Sequence, residues 1–199
     1  MNLPNKITLT RIFMIPIFVA IFFLDGILPF AFGIAAIVFA LAACTDFIDG
    51  HIARSRGLVT NLGKFLDPIA DKVLVSTAML LILTMKESLF LQFAGCANAL
   101  YVATAVCICV IMARELIISA FRQIAATRGL VMAADKLGKY KTTFQDISIF
   151  ALIFSACLNG TAGKVVAIIG LALFAVATIL TVWSGISYVV KNKQVLKDE

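Results

Sequence analysis

Six stretches of this chain, at roughly residues 11–28, 30–53, 65–85, 94–122, 143–159 and 165–190, are apolar over the length that a helix needs to cross a bilayer. In hydrocarbon every backbone N–H and C=O must find its partner within the protein, which restricts such runs to helices or closed barrels. A transmembrane barrel strand alternates lipid-facing and lumen-facing residues, and continuous apolar runs exclude it. The expected fold is therefore all-α, a polytopic membrane protein built as a six-transmembrane-helix bundle. With no internal repeat, low-complexity tract or long linker, residues 1–199 are expected to form a single domain. A hydrophobic share of 62% against 14% charged residues lies far from the balance of a soluble domain.

Charge sets the expected orientation. Six helices put both termini on one side, where loops, helix ends and tails collect fourteen lysines and arginines, including Lys6, Arg54, Arg56, Lys64, Arg128 and Lys136. The opposite side holds Lys86 and Lys164. By the positive-inside rule the termini and inner loops are expected to face the cytoplasm, across a cytoplasmic membrane. The net charge of +6 then reflects topology, and nucleic acid is not an expected partner. Residues 1–10 read as a short N-terminal interfacial segment. No small-residue cleavage site precedes Asp25 and Gly26, so the first apolar run is expected to be a retained span. Trp183 and Tyr188 suit an aromatic belt. Cys44, Cys96, Cys107, Cys109 and Cys157 are scattered singly and suggest neither a disulfide framework nor a soft-metal site.

Against this apolar background the segment 46–71 stands out, with the pattern DxxDGxxARx8GxxxDxxxD. At about 100° per residue, Asp46, Asp49, Gly50 and Ala53 share one stripe of the second helix, with Arg54 at its margin. Asp67 and Asp71 repeat this on the third helix, one turn beyond Gly63. Residues 55–62 form the expected inner loop, so antiparallel packing would turn the two acidic stripes toward each other. A charged residue at the bilayer centre costs roughly 2.5–3.5 kcal/mol on insertion scales, and four neighbouring carboxylates call for a compensating cation. Oxygen donors without His or Cys suit hard ions, Mg2+ or Mn2+ with Ca2+ as a further choice. Four carboxylates suit a two-metal site, the usual arrangement for displacement at phosphorus. Gly50 and Gly63 leave bare helix surface for a bulky ligand, and Arg54 can grip a phosphate through two N–H groups. A nucleotide diphosphate held through metal ions is the ligand this set of residues fits. His51 points away from the acidic stripe and reads as a solvated side chain.

With Asp46, Asp49, Gly50, Ala53, Arg54, Gly63, Asp67 and Asp71 all in register, the segment resembles the signature of the CDP-alcohol phosphatidyltransferase family. That resemblance implies six transmembrane helices, usually in a homodimer, and transfer of a phosphatidyl or related group from a CDP-activated donor to an alcohol with release of CMP. It implies Asp46, Asp49, Asp67 and Asp71 as metal ligands, with Asp71 also the general base. It further implies Gly50, Ala53, Arg54, Thr60 and Gly63 as the lining of a CDP-diacylglycerol site. Direct attack by the acceptor hydroxyl is expected rather than a covalent phosphatidyl-aspartate.

The acceptor is read from polar residues elsewhere on the inner face. Asn5, Thr8 and Arg11 open the first helix, Arg114 and Glu115 sit inside the fourth span with Ser119 and Arg122 following, and Lys136, Lys139 and Lys141 precede the fifth. A neutral alcohol does not need so many cations, whereas one bearing its own phosphate does. The expected acceptor is sn-glycerol 3-phosphate, with Asn5, Thr8, Arg11, Arg114, Lys139 and Lys141 as its binding residues. The stretches NLPNKITLTR, MARELIISAFR and GKYKTTFQ resemble those of bacterial family members that use this acceptor. The blander reading pairs Arg114 with Glu115 and assigns the lysines to topology alone. Asp146 has no role legible in the sequence. Two other functions fit part of the pattern: a transferase of the same family with another acceptor, of the cardiolipin or phosphatidylinositol-phosphate type, and a divalent-cation transporter.

Overall fold

The computed structural model describes residues 3–55, 61–93, 95–127 and 136–193. Among these the chain forms six α-helices, one short π-helical turn and no strand. The helices are α1 (Leu3–Phe22), α2 (Ala31–Ser55), α3 (Asn61–Thr84), α4 (Ala97–Thr127), α5 (Lys136–Ser155) and α6 (Gly160–Lys191), with the π turn at Lys86–Phe90. Ala97–Ala125 and Gly160–Lys191 are long and apolar enough to cross a membrane by length and composition, and Thr8–Phe22 and Ala31–Thr45 are shorter apolar helices. The chain is an all-helical membrane protein.

The helices do not begin and end where the apolar runs do. Leu3–Thr10 forms the opening turns of α1 rather than a separate interfacial element. That helix stops at Phe22 instead of continuing to residue 28, because Gly26 turns the backbone to φ 87° and Phe30 to φ 60°, values no right-handed helix accommodates. At the other extreme α5 starts at Lys136, before the expected span, because its backbone bonds continue past the last apolar residue. Those extra turns put Lys141 on a rigid helix.

Packing is tightest where side chains are smallest. A Cβ on Gly170 of α6 would stand 2.9 Å from Leu152 Cδ2 of α5, and one on Gly33 of α2 would stand 3.0 Å from Cys157 Sγ. Small residues let membrane helices approach closely, where lipid provides no hydrophobic drive for association. The interior is filled by Phe18, Phe39, Leu74, Met79, Ile82, Ile149 and Phe174, with Phe18 and Phe39 at 5.9 Å and Phe22 and Phe32 at 5.1 Å between ring centroids. Large apolar chains also cover the outside, among them Ile27, Leu116 and Ile179, as expected of a surface that meets hydrocarbon. Helix α1 packs on both α2 and α3, α5 on α2, α3 and α6, and α4 on α3 and α6. One end of this arrangement is polar inside.

Candidate active site

Helix α3 supplies the acids. Asp67 and Asp71 are four residues apart, hence one turn apart on one face, and Pro68 removes a backbone donor from the ladder between them. Asp67 is bound from α1: Arg11 Nη1 lies 3.2 Å from its Oδ1, with Arg11 fully buried and the Asp67 side chain 41% exposed. Arg11 Nε also donates to Thr45 Oγ1 at 3.3 Å, and Thr45 itself donates to the Ala42 carbonyl at 2.6 Å. One arginine therefore spans from α3 to the residue preceding Asp46 on α2. Arg11, expected among the acceptor-binding residues, contacts the acid side of the site. Thr8, one turn earlier on α1, is buried beside it.

Asp71 faces a different space. It lines a cavity of about 280 Å³ between α3, α4, α5 and α6, together with Lys72, Arg114, Arg122, Lys141 and Glu115. The cations are held by a connected set of contacts. Arg114 Nη1 donates to Glu115 Oε1 at 3.1 Å and its Nη2 to Ser184 Oγ of α6 at 2.9 Å. Lys141 bonds the same Glu115 oxygen from α5. Lys72 donates to Ser119 Oγ, whose hydroxyl donates to the Glu115 carbonyl at 2.5 Å. Arg122 Nε donates to the Tyr188 hydroxyl at 3.1 Å. The Glu115 carboxylate is thus the common anchor of two cations, Arg114 and Lys141, and the predicted Arg114–Glu115 pairing exists alongside cavity placement, not instead of it. Asp146 of α5 lies within electrostatic range of Lys141.

The residues around this space carry four cations, Lys72, Arg114, Arg122 and Lys141, against the two acids Asp71 and Glu115. Such a surplus in a partly open, half-buried cavity favours a small anion, since charges interact more strongly there than in bulk water. A carboxylate on the rim of the same cavity gives that anion a neighbouring proton acceptor.

Of the residues anticipated from sequence, the structure brings Asp71, Arg114 and Lys141 to one cavity and sets Arg11 on Asp67. Asp46, Asp49, Gly50, Ala53 and Arg54 fall on α2, Gly63 on α3, Asn5 on α1 and Lys139 on α5; their side chains, like Thr60 as a whole, lie outside the described residues. Sequence reasoning passed over Lys72, Ser184 and the cavity role of Tyr188. Lys72 could have been found from its place directly after Asp71. Tyr188 corrects an expectation: only 4% exposed, it is no belt anchor but packs on Phe121 and receives Arg122, whereas Trp183, 67% exposed, keeps the lipid-facing position.

The donor chemistry fits a hard divalent cation. Asp67 and Asp71 offer carboxylate oxygens only, and the cysteines elsewhere on the bundle are free thiols. Among the described residues no group of three or more His, Cys, Asp or Glu gathers; Asp67 and Asp71 are the described acids on α3.

Comparison with known proteins agrees over nearly the whole length. Residues 1–183 match the CDP-alcohol phosphatidyltransferase family. A Bacillus subtilis protein named CDP-diacylglycerol–glycerol-3-phosphate 3-phosphatidyltransferase is 40% identical over 208 aligned positions, covering 98% of this chain and 97% of the relative. Proteins of the same name from Escherichia coli and Salmonella typhimurium are 38% and 37% identical, each covering 100% of this chain and 98% of the relative. With its acids on α3, its cation-lined cavity and this full-length similarity, the chain belongs to the CDP-alcohol phosphatidyltransferase family.

Proposed function

We propose that the protein transfers the phosphatidyl group of CDP-diacylglycerol to sn-glycerol 3-phosphate, giving phosphatidylglycerol phosphate and CMP, as the names of its relatives describe for them. The observation that carries the choice of acceptor is the cavity in which Asp71 stands among Lys72, Arg114, Arg122 and Lys141. An uncharged alcohol would leave the surplus of these four cations over Asp71 and Glu115 uncompensated, whereas a phosphate monoester offsets it while its hydroxyl end remains within the same space as Asp71.

Asp71 takes the proton of the glycerol 1-hydroxyl, and the oxygen attacks the phosphorus that bears the diacylglycerol. The bond from that phosphorus to the bridging oxygen breaks, and CMP leaves with the electron pair. Arg114 and Lys141 hold the acceptor phosphate, with Asn5, Thr8 and Lys139 completing that side. Gly50, Ala53, Arg54, Thr60 and Gly63 line the CDP moiety. Asp46, Asp49, Asp67 and Asp71 would hold Mg2+ or Mn2+, which supplies charge neutralisation at the diphosphate. Positioning and charge compensation are the main demands of such a transfer.

The six helices each span the cytoplasmic membrane, with both termini and the site on the cytoplasmic side, as the distribution of lysine and arginine supports. The working unit is a homodimer, a reading that rests on the family resemblance. The test is purified protein in detergent with CDP-diacylglycerol, Mg2+ or Mn2+, and radiolabelled sn-glycerol 3-phosphate. Label is expected in a lipid product with equimolar CMP; a folded preparation that yields no labelled lipid overturns the assignment. An acceptor panel including inositol phosphate and phosphatidylglycerol separates the other transferase readings.

A further inference from the structure

Both arginines that α4 sends to the cavity end on α6. Arg114 reaches Ser184 and Arg122 reaches Tyr188. On α4 the two cations are two turns apart and on α6 their partners are one turn apart, in matching order along the packed pair. Ser184 and Tyr188 are both buried, and the Arg122 guanidinium lies over the Tyr188 ring, 5.2 Å from its centroid. Between them comes Gly185. A Cβ at that position would stand 3.0 Å from Arg114 Cγ and 3.1 Å from Nε. Arg114 has little room to yield, because one terminal nitrogen is bound to Glu115 and the other to Ser184. The arginine lies flat against α6 because residue 185 has no side chain, and its Nε is buried without a hydrogen-bond partner among the described residues.

We propose that Ser184, Gly185 and Tyr188 form a specificity-determining stripe on α6 that aims Arg114 and Arg122 at the phosphate of the acceptor. This rests on the assignment of that phosphate to the cavity. The three are positioning residues: they act through the arginines, and their substitution should alter acceptor affinity while sparing donor binding and the chemical step.

The test is steady-state kinetics of the full-length protein with CDP-diacylglycerol and sn-glycerol 3-phosphate, for Ser184→Ala, Gly185→Ala and Tyr188→Phe, each alone and combined with Arg114→Ala. Losing the hydrogen bond from Arg114 in Ser184→Ala, or pushing the arginine aside with a Cβ in Gly185→Ala, should raise the acceptor KM about tenfold, with kcat and donor KM within about twofold. In the Arg114→Ala background the same two changes should add less than about twofold, whereas Tyr188→Phe, acting through Arg122, should keep its own effect. The proposal is overturned if Ser184→Ala and Gly185→Ala lower kcat and alter donor KM alike, or raise acceptor KM as much without Arg114 as with it. Should Gly185→Ala not fold, Ser184→Ala decides, since it removes a single hydroxyl. A wild-type protein inactive toward sn-glycerol 3-phosphate would defeat the proposed function, whereas an active wild type with a silent Ser184→Ala would defeat only this inference.

Discussion

The two polar regions at one end of the bundle are built in opposite ways. The acid side is close in sequence: positions 46 and 49 fall on α2, and Asp67 and Asp71 on α3, with Arg11 of α1 set against Asp67. The basic side is gathered from four helices: Lys72 of α3, Arg114 and Arg122 of α4, Lys141 of α5, and the α6 hydroxyls that hold both arginines. Helical periodicity alone can encode the first, whereas only tertiary packing can assemble the second. They meet on α3, where Asp67 faces Arg11 and Asp71, one turn on, faces the cavity.

The proposed division of labour, donor on the acid side and acceptor phosphate on the basic side, can be broken by substitution. The largest effect is expected for Asp71→Asn, which keeps the shape of the residue that joins the two regions and removes its basicity. Turnover should fall about 10²–10⁴-fold, the usual worth of a positioned base, with CDP-diacylglycerol still bound in a direct binding measurement. Normal turnover would take the base away from α3. Chelation with EDTA is expected to abolish activity in the same assay, with recovery on adding Mg2+ or Mn2+; activity that survives exhaustive chelation would remove the ion from the acid side. Next comes Arg114→Ala, for which acceptor KM should rise about 10–100-fold, in keeping with a lost charge-assisted contact, while donor KM stays near its starting value.

Arg11→Ala sharpens the comparison. Although Arg11 was expected with the acceptor, its contact with Asp67 predicts a rise in donor KM and lower thermal stability, since removing one partner of a buried pair costs about 3–5 kcal/mol and this pair, half exposed at Asp67, should fall below that range. A change in acceptor KM alone would merge the two regions. The smallest effect belongs to Trp183→Leu, within about 0.5 kcal/mol in stability and without kinetic consequence, because the side chain is exposed beside a residue that is not.

The same contrast explains what the sequence could reveal. Helix number and class were legible because apolar runs have few alternatives in a membrane, and the acidic stripe because Asp67 and Asp71 obey a four-residue spacing on one helix. Arg114 and Lys141 were legible as charges out of place beside apolar runs. Their partners were not: Ser184 and Tyr188 are ordinary residues of an apolar helix until α6 packs on α4, and a tyrosine near a helix end has the same sequence signal whether it anchors in lipid or receives an arginine. The inward position of Lys141 depended on α5 beginning at Lys136, where polar composition conceals the helix.

The most direct measurement compares sn-glycerol 3-phosphate with glycerol as competing acceptors for radiolabelled CDP-diacylglycerol, in wild type and in Arg114→Ala. The account predicts a strong wild-type preference for the phosphorylated acceptor that shrinks in the variant, through acceptor KM and not through donor KM. Equal use of glycerol by the wild type, or a preference that Arg114→Ala leaves intact, would contradict it.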